Sequence, residues 1–248
     1  MDGQKRTTKI GRLIHLFIKH PVLTSSDWSV QDNPPPMIQL QPTAFLDFDH
    51  PAVQNYVATN TLATDPPEVR VIQLYYAIRD DFWYNPYQLN LTPEGMRAST
   101  IVSKSQAYCV EKAILLAAGA RFLGIPSRLF FGDVRNHIAT EKLQQQLQTD
   151  VMAFHGGTEL FLQGKWVKAT PAFNRSLCEK LQVEPLDFDG VKDSIFQEFD
   201  KSGRQYMEYL HFYGVFDDLP YALFLSSLQK HYPFLAEKMV DLKIDLTN

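Results

Sequence analysis

Between Ala107 and Phe122 the chain reads Ala-Tyr-Cys-Val-Glu-Lys-Ala-Ile-Leu-Leu-Ala-Ala-Gly-Ala-Arg-Phe, rich in Ala and Leu and nearly free of helix breakers. This predicts a helix. Its apolar residues cover most of the circumference, so the helix must be buried on all sides rather than laid on a surface. Gly124 and Pro126 end it. A central helix of this kind needs protein layers around it, and the flanking sequence supplies them.

Upstream, Asp65-Pro66-Pro67-Glu68 reads as a helix start, with Asp65 as cap, Pro66 in the first position and Glu68 completing a capping box. Val69, Ile72, Tyr75 and Tyr76 carry the amphipathic period, with Phe82 and Trp83 near the end. Asn85-Pro86 stops that helix, and residues 84–99 read as a loop. Downstream, strands are expected over Ser127–Phe131, Thr158–Leu162 and Trp166–Thr170. The last two are joined by Gln163-Gly164-Lys165, a hairpin by its turn chemistry. More strand is expected within residues 186–212 and mostly helix within 219–242. Helices followed by an antiparallel sheet define an α+β fold. No internal repeat shows at solenoid or propeller periods.

Residues 24–43, with Ser25-Ser26 and Asn33-Pro34-Pro35-Pro36, read as an extended connector. The expected organisation is therefore an N-terminal extension and connector over 1–43, then one domain over 44–248 with a C-terminal helical segment. The basic start (Lys5, Arg6, Lys9) leads into Ile10–Lys19, whose apolar run is broken by Arg12 and His15. It reads as a short amphipathic segment packed on the body rather than as a signal peptide. A membrane-associated scaffold using this segment is a weaker alternative.

Composition narrows the function classes. A net charge of −4 leaves no electrostatic footprint for nucleic acid. No apolar run reaches the roughly 20 residues of a transmembrane helix, so no integral membrane span is expected. Two cysteines, Cys109 and Cys178, cannot staple a secreted scaffold, and a reduced, cytoplasmic protein is the reading. No Cys/His grouping has zinc spacing and no glycine-rich phosphate loop occurs, so no metal or cofactor is called for. Asp187, Asp189, Gly190 and Asp193 lack the alternating oxygen ligands of a calcium loop and read as a turn.

Cys109 falls in the first turn of the buried helix. Only a thiolate is a good nucleophile, and helix N-terminal amides favour that anion, so the position predicts a lowered thiol pKa. His155 lies just before the first hairpin strand. With a two-residue turn, Leu162 pairs with Lys165 and His155 falls opposite Ala172. Thr170 and Asn174 are then diagonal neighbours on one face, and either can accept the ring N–H as the third member of a thiol triad. A one-residue slip would send both to the other face. Asp133-Val134-Arg135-Asn136-His137 reads either as a pocket rim or as a solvated loop, and His137 is the rival base.

The stretch Cys109–Arg128, with Cys-x3-Ala-x-Leu-Leu and Gly124-Ile125-Pro126-Ser127-Arg128, resembles the cysteine helix and following strand of the transglutaminase-like superfamily. His155, Glu159 and Gly164-Lys165-Trp166 continue the resemblance at matching spacing. It is spread over roughly residues 45–215. It is closest to a bacterial subgroup whose pattern is similar to Asp47-Phe48-Asp49-His50-Pro51, Asp133–His137 and Trp166–Asn174. The resemblance implies a papain-like, transglutaminase-core α+β fold. It implies acyl transfer with Cys109 as nucleophile and His155 as base, on a peptide or protein amide. The oxyanion would be met by the Cys109 N–H and one more donor, Gln106 or, less well placed, Tyr108. The superfamily usually has Asp four residues after the hairpin Trp. Here that position is Thr170, a neutral group that stabilises an imidazolium less. Hydrolysis, as in a protease or amidase, is the expected outcome, with amine cross-linking as the other acyl-transfer route. The rival class is a catalytically silent module that holds peptide in the same groove.

Overall fold

A computed structural model describes residues 35–137, 149–196 and 199–232. Among these, α1 (Pro51–Asn60), α2 (Pro67–Asp81) and α3 (Ala98–Ile101) precede α4 (Cys109–Phe122). A two-residue strand β1 (Trp83–Tyr84) pairs in parallel with β2 (Gln106–Ala107). Beyond α4 come β3 (Ser127–Asn136), β4 (Val151–Leu162), β5 (Lys165–Ala169), α5 (Arg175–Leu181), β6 (Met207–Phe216) and α6 (Tyr221–His231). The sheet order is β5-β4-β3-β6, antiparallel throughout. The fold is α+β, as the sequence leads one to expect.

The apolar circumference of α4 is explained by what surrounds it. One side lies on the sheet, where Thr158 Oγ1 and Ser127 Oγ donate to the carbonyls of Ala113 and Ala117 at 2.9 and 2.8 Å. The opposite side meets α1 and α2. A Cβ on Gly119 would come within 2.5 Å of Leu74 Cδ2 and 3.1 Å of Val57 Cγ2, so glycine there lets the helices close up. Ile114, Leu115 and Leu116 are fully buried between these layers, each stabilising the fold by about 1.5–3 kcal/mol. Even Lys112 is enclosed; its Nζ donates to the Arg79 carbonyl near the end of α2 at 2.9 Å.

Several local expectations are revised. The first residue of α2 is Pro67 rather than Pro66, and Asp65 does not cap it: its carboxylate accepts from Gln73 Nε2 at 2.7 Å. Two successive prolines shift the start by one and leave Pro66 as an N-cap with no side-chain acceptor. Strand β3 continues to Asn136 and β4 begins at Val151, because the two pair far beyond the apolar segments that reveal them. Among the described residues of 186–212, regular strand is confined to β6, with isolated bridges at Ser194 and at Phe199–Gln205. The C-terminal helix ends at His231, and residues 233–242 lie outside the described residues, as do residues 1–34. Inside the expected connector, Gln39 is buried and its Nε2 donates to Asp217, while Arg121 donates to the Gln41 carbonyl. Of the subgroup-like motif at 47–51, Asp47 holds the first turn of α3 through Ser99, and His50 Nδ1 caps α1.

Candidate active site

Cys109 is the first residue of α4, and Tyr108 is its N-cap in extended conformation. Glu111 accepts the Tyr108 N–H at 3.1 Å and is itself ion-paired to Lys104, so the helix entrance is held by a buried carboxylate. The β1–β2 pairing sets Tyr84 beside Ala107 and brings its buried hydroxyl near the thiol, though the hydroxyl makes no hydrogen bond of its own. The backbone N–H groups of Val110 and Gly156 lie near enough to draw the thiol pKa down. These donors favour a thiolate, as the sequence reading expects of a helix N-terminus. Burial opposes them and wins: Cys109 is only 6% exposed, and desolvation pushes its thiol up to about 11. The lowered thiol pKa expected from position alone is therefore not found in this closed arrangement.

The hairpin has the expected register, Leu162 opposite Lys165, with Gln163 at φ 52° and Gly164 at φ 83°. Two successive positive φ values are what a two-residue twisted turn requires. The β4–β5 ladder runs to Thr158 opposite Ala169 and stops. Continued by two more pairs, it would set Gly156 against Pro171, which has no N–H to donate. Gly156 packs instead on the first turn of α4, where a Cβ on it would come within 3.0 Å of Val110 Cα. Thus the strand carrying His155 meets the cysteine's helix turn through the very next residue.

By the alternation of β4, His155 shares a face with Gly157 and Glu159. Thr170 lies against that face: a Cβ on Gly157 would stand 2.8 Å from Thr170 Oγ1. His155 is 2% exposed, and burial pushes its imidazole down to about 4. Neither ring nitrogen has a hydrogen-bond partner, nor does Thr170 Oγ1. Unpaired buried polar groups are costly, so a ring with two of them and a hydroxyl with one are unusual outside functional sites.

The remaining candidates are employed elsewhere. Asn174 is the N-cap residue of α5; its Oδ1 accepts the Tyr84 N–H at 3.1 Å and its Nδ2 donates to Ser176. Gln106 is exposed, and its Oε1 accepts from Asn85 Nδ2 at 2.5 Å. The Tyr108 hydroxyl turns to Met96. His137 pairs with Glu208 at 3.1 Å. Asp189 closes a turn on Val191 and Lys192, and Asp193 accepts the Lys168 N–H. Tyr84 is the residue that sequence reasoning missed. It sits in a segment read as loop, and nothing local announces a two-residue strand whose partner lies 23 positions away.

The other family-like residues, Arg128, Glu159 and Trp166, form a brace across β3, β4 and β5. Glu159 lies between Arg128 Nε at 2.5 Å and Lys168 Nζ at 3.1 Å, and the Arg128 guanidinium stacks 3.9 Å over the Trp166 ring. It holds in register the strands that deliver His155 and Thr170.

A thiol on the first residue of a buried helix, laid against an antiparallel sheet whose adjoining strand bears a histidine, is the papain-like α+β arrangement. Residues 54–171 match the Transglutaminase-like superfamily. Over that stretch, just under half of its length, the chain is similar to that superfamily. None of the curated proteins matches it. Among solved structures it is similar to the "Putative Cysteine Protease" of Cytophaga hutchinsonii, at 19% identity and a TM-score of 0.41, over 54% of this chain and 40% of that one. The chain thus spans well under half of that protein's length. No helix among the described residues is long and apolar enough to cross a membrane.

Proposed function

We propose that this chain is a thiol acyl-transfer enzyme in which Cys109 attacks a peptide or amide carbonyl and His155 moves the proton. The observation that carries the reading is the packing of β4 on the first turn of α4, where a Cβ on Gly156 would stand 3.0 Å from Val110 Cα, so that the residue after His155 lies against the residue after Cys109. In the first step the thiol proton passes to the imidazole as the S–C bond forms. The tetrahedral oxyanion is met by amide donors at the start of α4, with the Tyr84 hydroxyl as a further donor. On collapse the C–N bond breaks and the imidazolium returns its proton to the leaving amine. Water then hydrolyses the thioester, which makes the outcome that of a protease or amidase. Thr170 stands on the His155 face, in the position where the superfamily usually has Asp, and makes no hydrogen bond to the ring.

In the closed arrangement the resting pair is a neutral thiol and a neutral imidazole, not an ion pair. Substrate or water entering the site raises the polarity around both, which is the condition for proton transfer. A second reading draws on the same facts: the thiol pushed up, the imidazole unpartnered and Thr170 in the orienting position also suit a silent module that holds peptide without turnover.

The test is acylation by p-nitrophenyl acetate followed by intact and peptide mass spectrometry. The expected result is an acetyl adduct on Cys109, absent from Cys178, lost in His155→Ala, and released by water. Release by dansylcadaverine in preference to water would make the enzyme a cross-linker. An equal, slow adduct in wild type and His155→Ala, together with peptide binding, would replace the enzyme reading by the silent module.

A further inference from the structure

Just before His155, strand β4 holds one residue too many. Gly132 pairs with His155 and Val134 with Met152, so the single residue Asp133 faces both Ala153 and Phe154. This is a β-bulge, and it decides the face on which every later residue of β4 stands. Phe154 adopts φ 55°, a left-handed conformation that a bulky residue takes only when its surroundings impose it. The contacts around it do so. The Phe154 N–H donates to Asp133 Oδ1 at 3.0 Å. The Phe154 ring stacks on Phe131 at 4.4 Å and packs on Tyr213 at 4.8 Å. The Tyr232 hydroxyl receives the Ala153 N–H at 2.8 Å and donates to the Val151 carbonyl at 2.9 Å.

The carboxylate of Asp133 is itself fixed. Its Oδ2 accepts from the Tyr213 hydroxyl at 3.0 Å, which shares a hydrogen bond with Ser227 on α6, and His231 Nε2 lies 3.4 Å away. Asp133 is 5% exposed. With both His155 nitrogens unpartnered, no hydrogen bond to the ring holds the imidazole. Backbone geometry must do it.

We propose that Asp133 is a positioning residue: its carboxylate holds the Phe154 bulge and thereby fixes where the His155 imidazole stands on β4. This rests on the reading of His155 as the base. What matters is an acceptor oxygen at the Phe154 N–H, not the charge. Asparagine supplies that oxygen through its side-chain carbonyl, and its amide can donate to the Tyr213 oxygen.

The experiment compares wild type, Asp133→Ala, Asp133→Asn and His155→Ala by two readouts: Cys109 acetylation by p-nitrophenyl acetate, and the imidazole resonances of His155 followed by NMR against pH. A misaimed base loses on the order of 100-fold in rate. The expected result is that Asp133→Ala falls nearly to the His155→Ala rate and moves the His155 resonances, while Asp133→Asn keeps most of the rate and the wild-type resonances. Unmoved His155 resonances in Asp133→Ala would overturn the proposal, as would an Asp133→Asn variant as impaired as Asp133→Ala. If Asp133→Ala does not fold, Tyr213→Phe loosens the same carboxylate, and the same resonances must move. Wild-type acetylation in His155→Ala with shifted resonances in Asp133→Ala would sink the catalytic reading and leave the positioning intact.

Discussion

His155 offers a direct test of the closed arrangement through stability against pH. Its imidazole is pushed from an ordinary 6.5 down to about 4 by burial alone. Below pH 6.5 the unfolded chain binds a proton at this residue that the folded chain refuses. The stability due to a neutral buried ring is thus fully present above 6.5 and is lost as pH falls towards 4. Between pH 7.5 and 4.5 the loss amounts to about 2.5 kcal/mol, since one proton bound only by the unfolded chain costs about 1.36 kcal/mol for each pH unit crossed. A His155→Leu variant of similar volume lacks the titration and retains every other ionisable group. Urea unfolding of both proteins at half-unit pH steps should show the stability difference changing by that amount in favour of the variant as pH falls. Parallel curves would refute the reasoning, because they would mean that His155 is solvated and titrates near its ordinary value. A wild-type His155 resonance titrating near 6.5 would say the same.

Three more outcomes are expected of the site and its supports. Thr170→Asp restores a carboxylate on the His155 face; the imidazole should rise from about 4 and iodoacetamide alkylation of Cys109 at pH 7 should quicken, whereas an unchanged rate would remove Thr170 from the orienting role. Glu159→Ala strips the partner from Arg128 and Lys168, each 8% exposed, and should cost about 3–5 kcal/mol by chemical denaturation; a loss under about 1 kcal/mol would mean the brace is solvated. Gly157→Ala puts a methyl 2.2 Å from Phe130 Cζ and 2.8 Å from Thr170 Oγ1, so a loss of about 1–3 kcal/mol is expected, and an unchanged unfolding midpoint would contradict that close approach.

The sequence by itself determined much of this protein. The breaker-free apolar run of α4 dictates a helix enclosed on all sides, since no other placement hides that surface. Gln163-Gly164 dictates the hairpin and its register, since few residue pairs accept two positive φ values in succession. Together these bring Cys109 to a helix start and put His155 and Thr170 on one strand face. Tertiary structure alone decided the rest. Whether the thiol is activated depends on the balance between amide donors and desolvation, and desolvation is set by residues distant in sequence. That Tyr84 meets Cys109, and that Asp133 rather than Asn174 supports the His155 strand, follows from pairings between segments that carry no local signal. The Phe154 bulge is of the same kind: a left-handed phenylalanine is locally unfavourable, and only the aromatic rings and hydrogen bonds of three other elements make it the stable state.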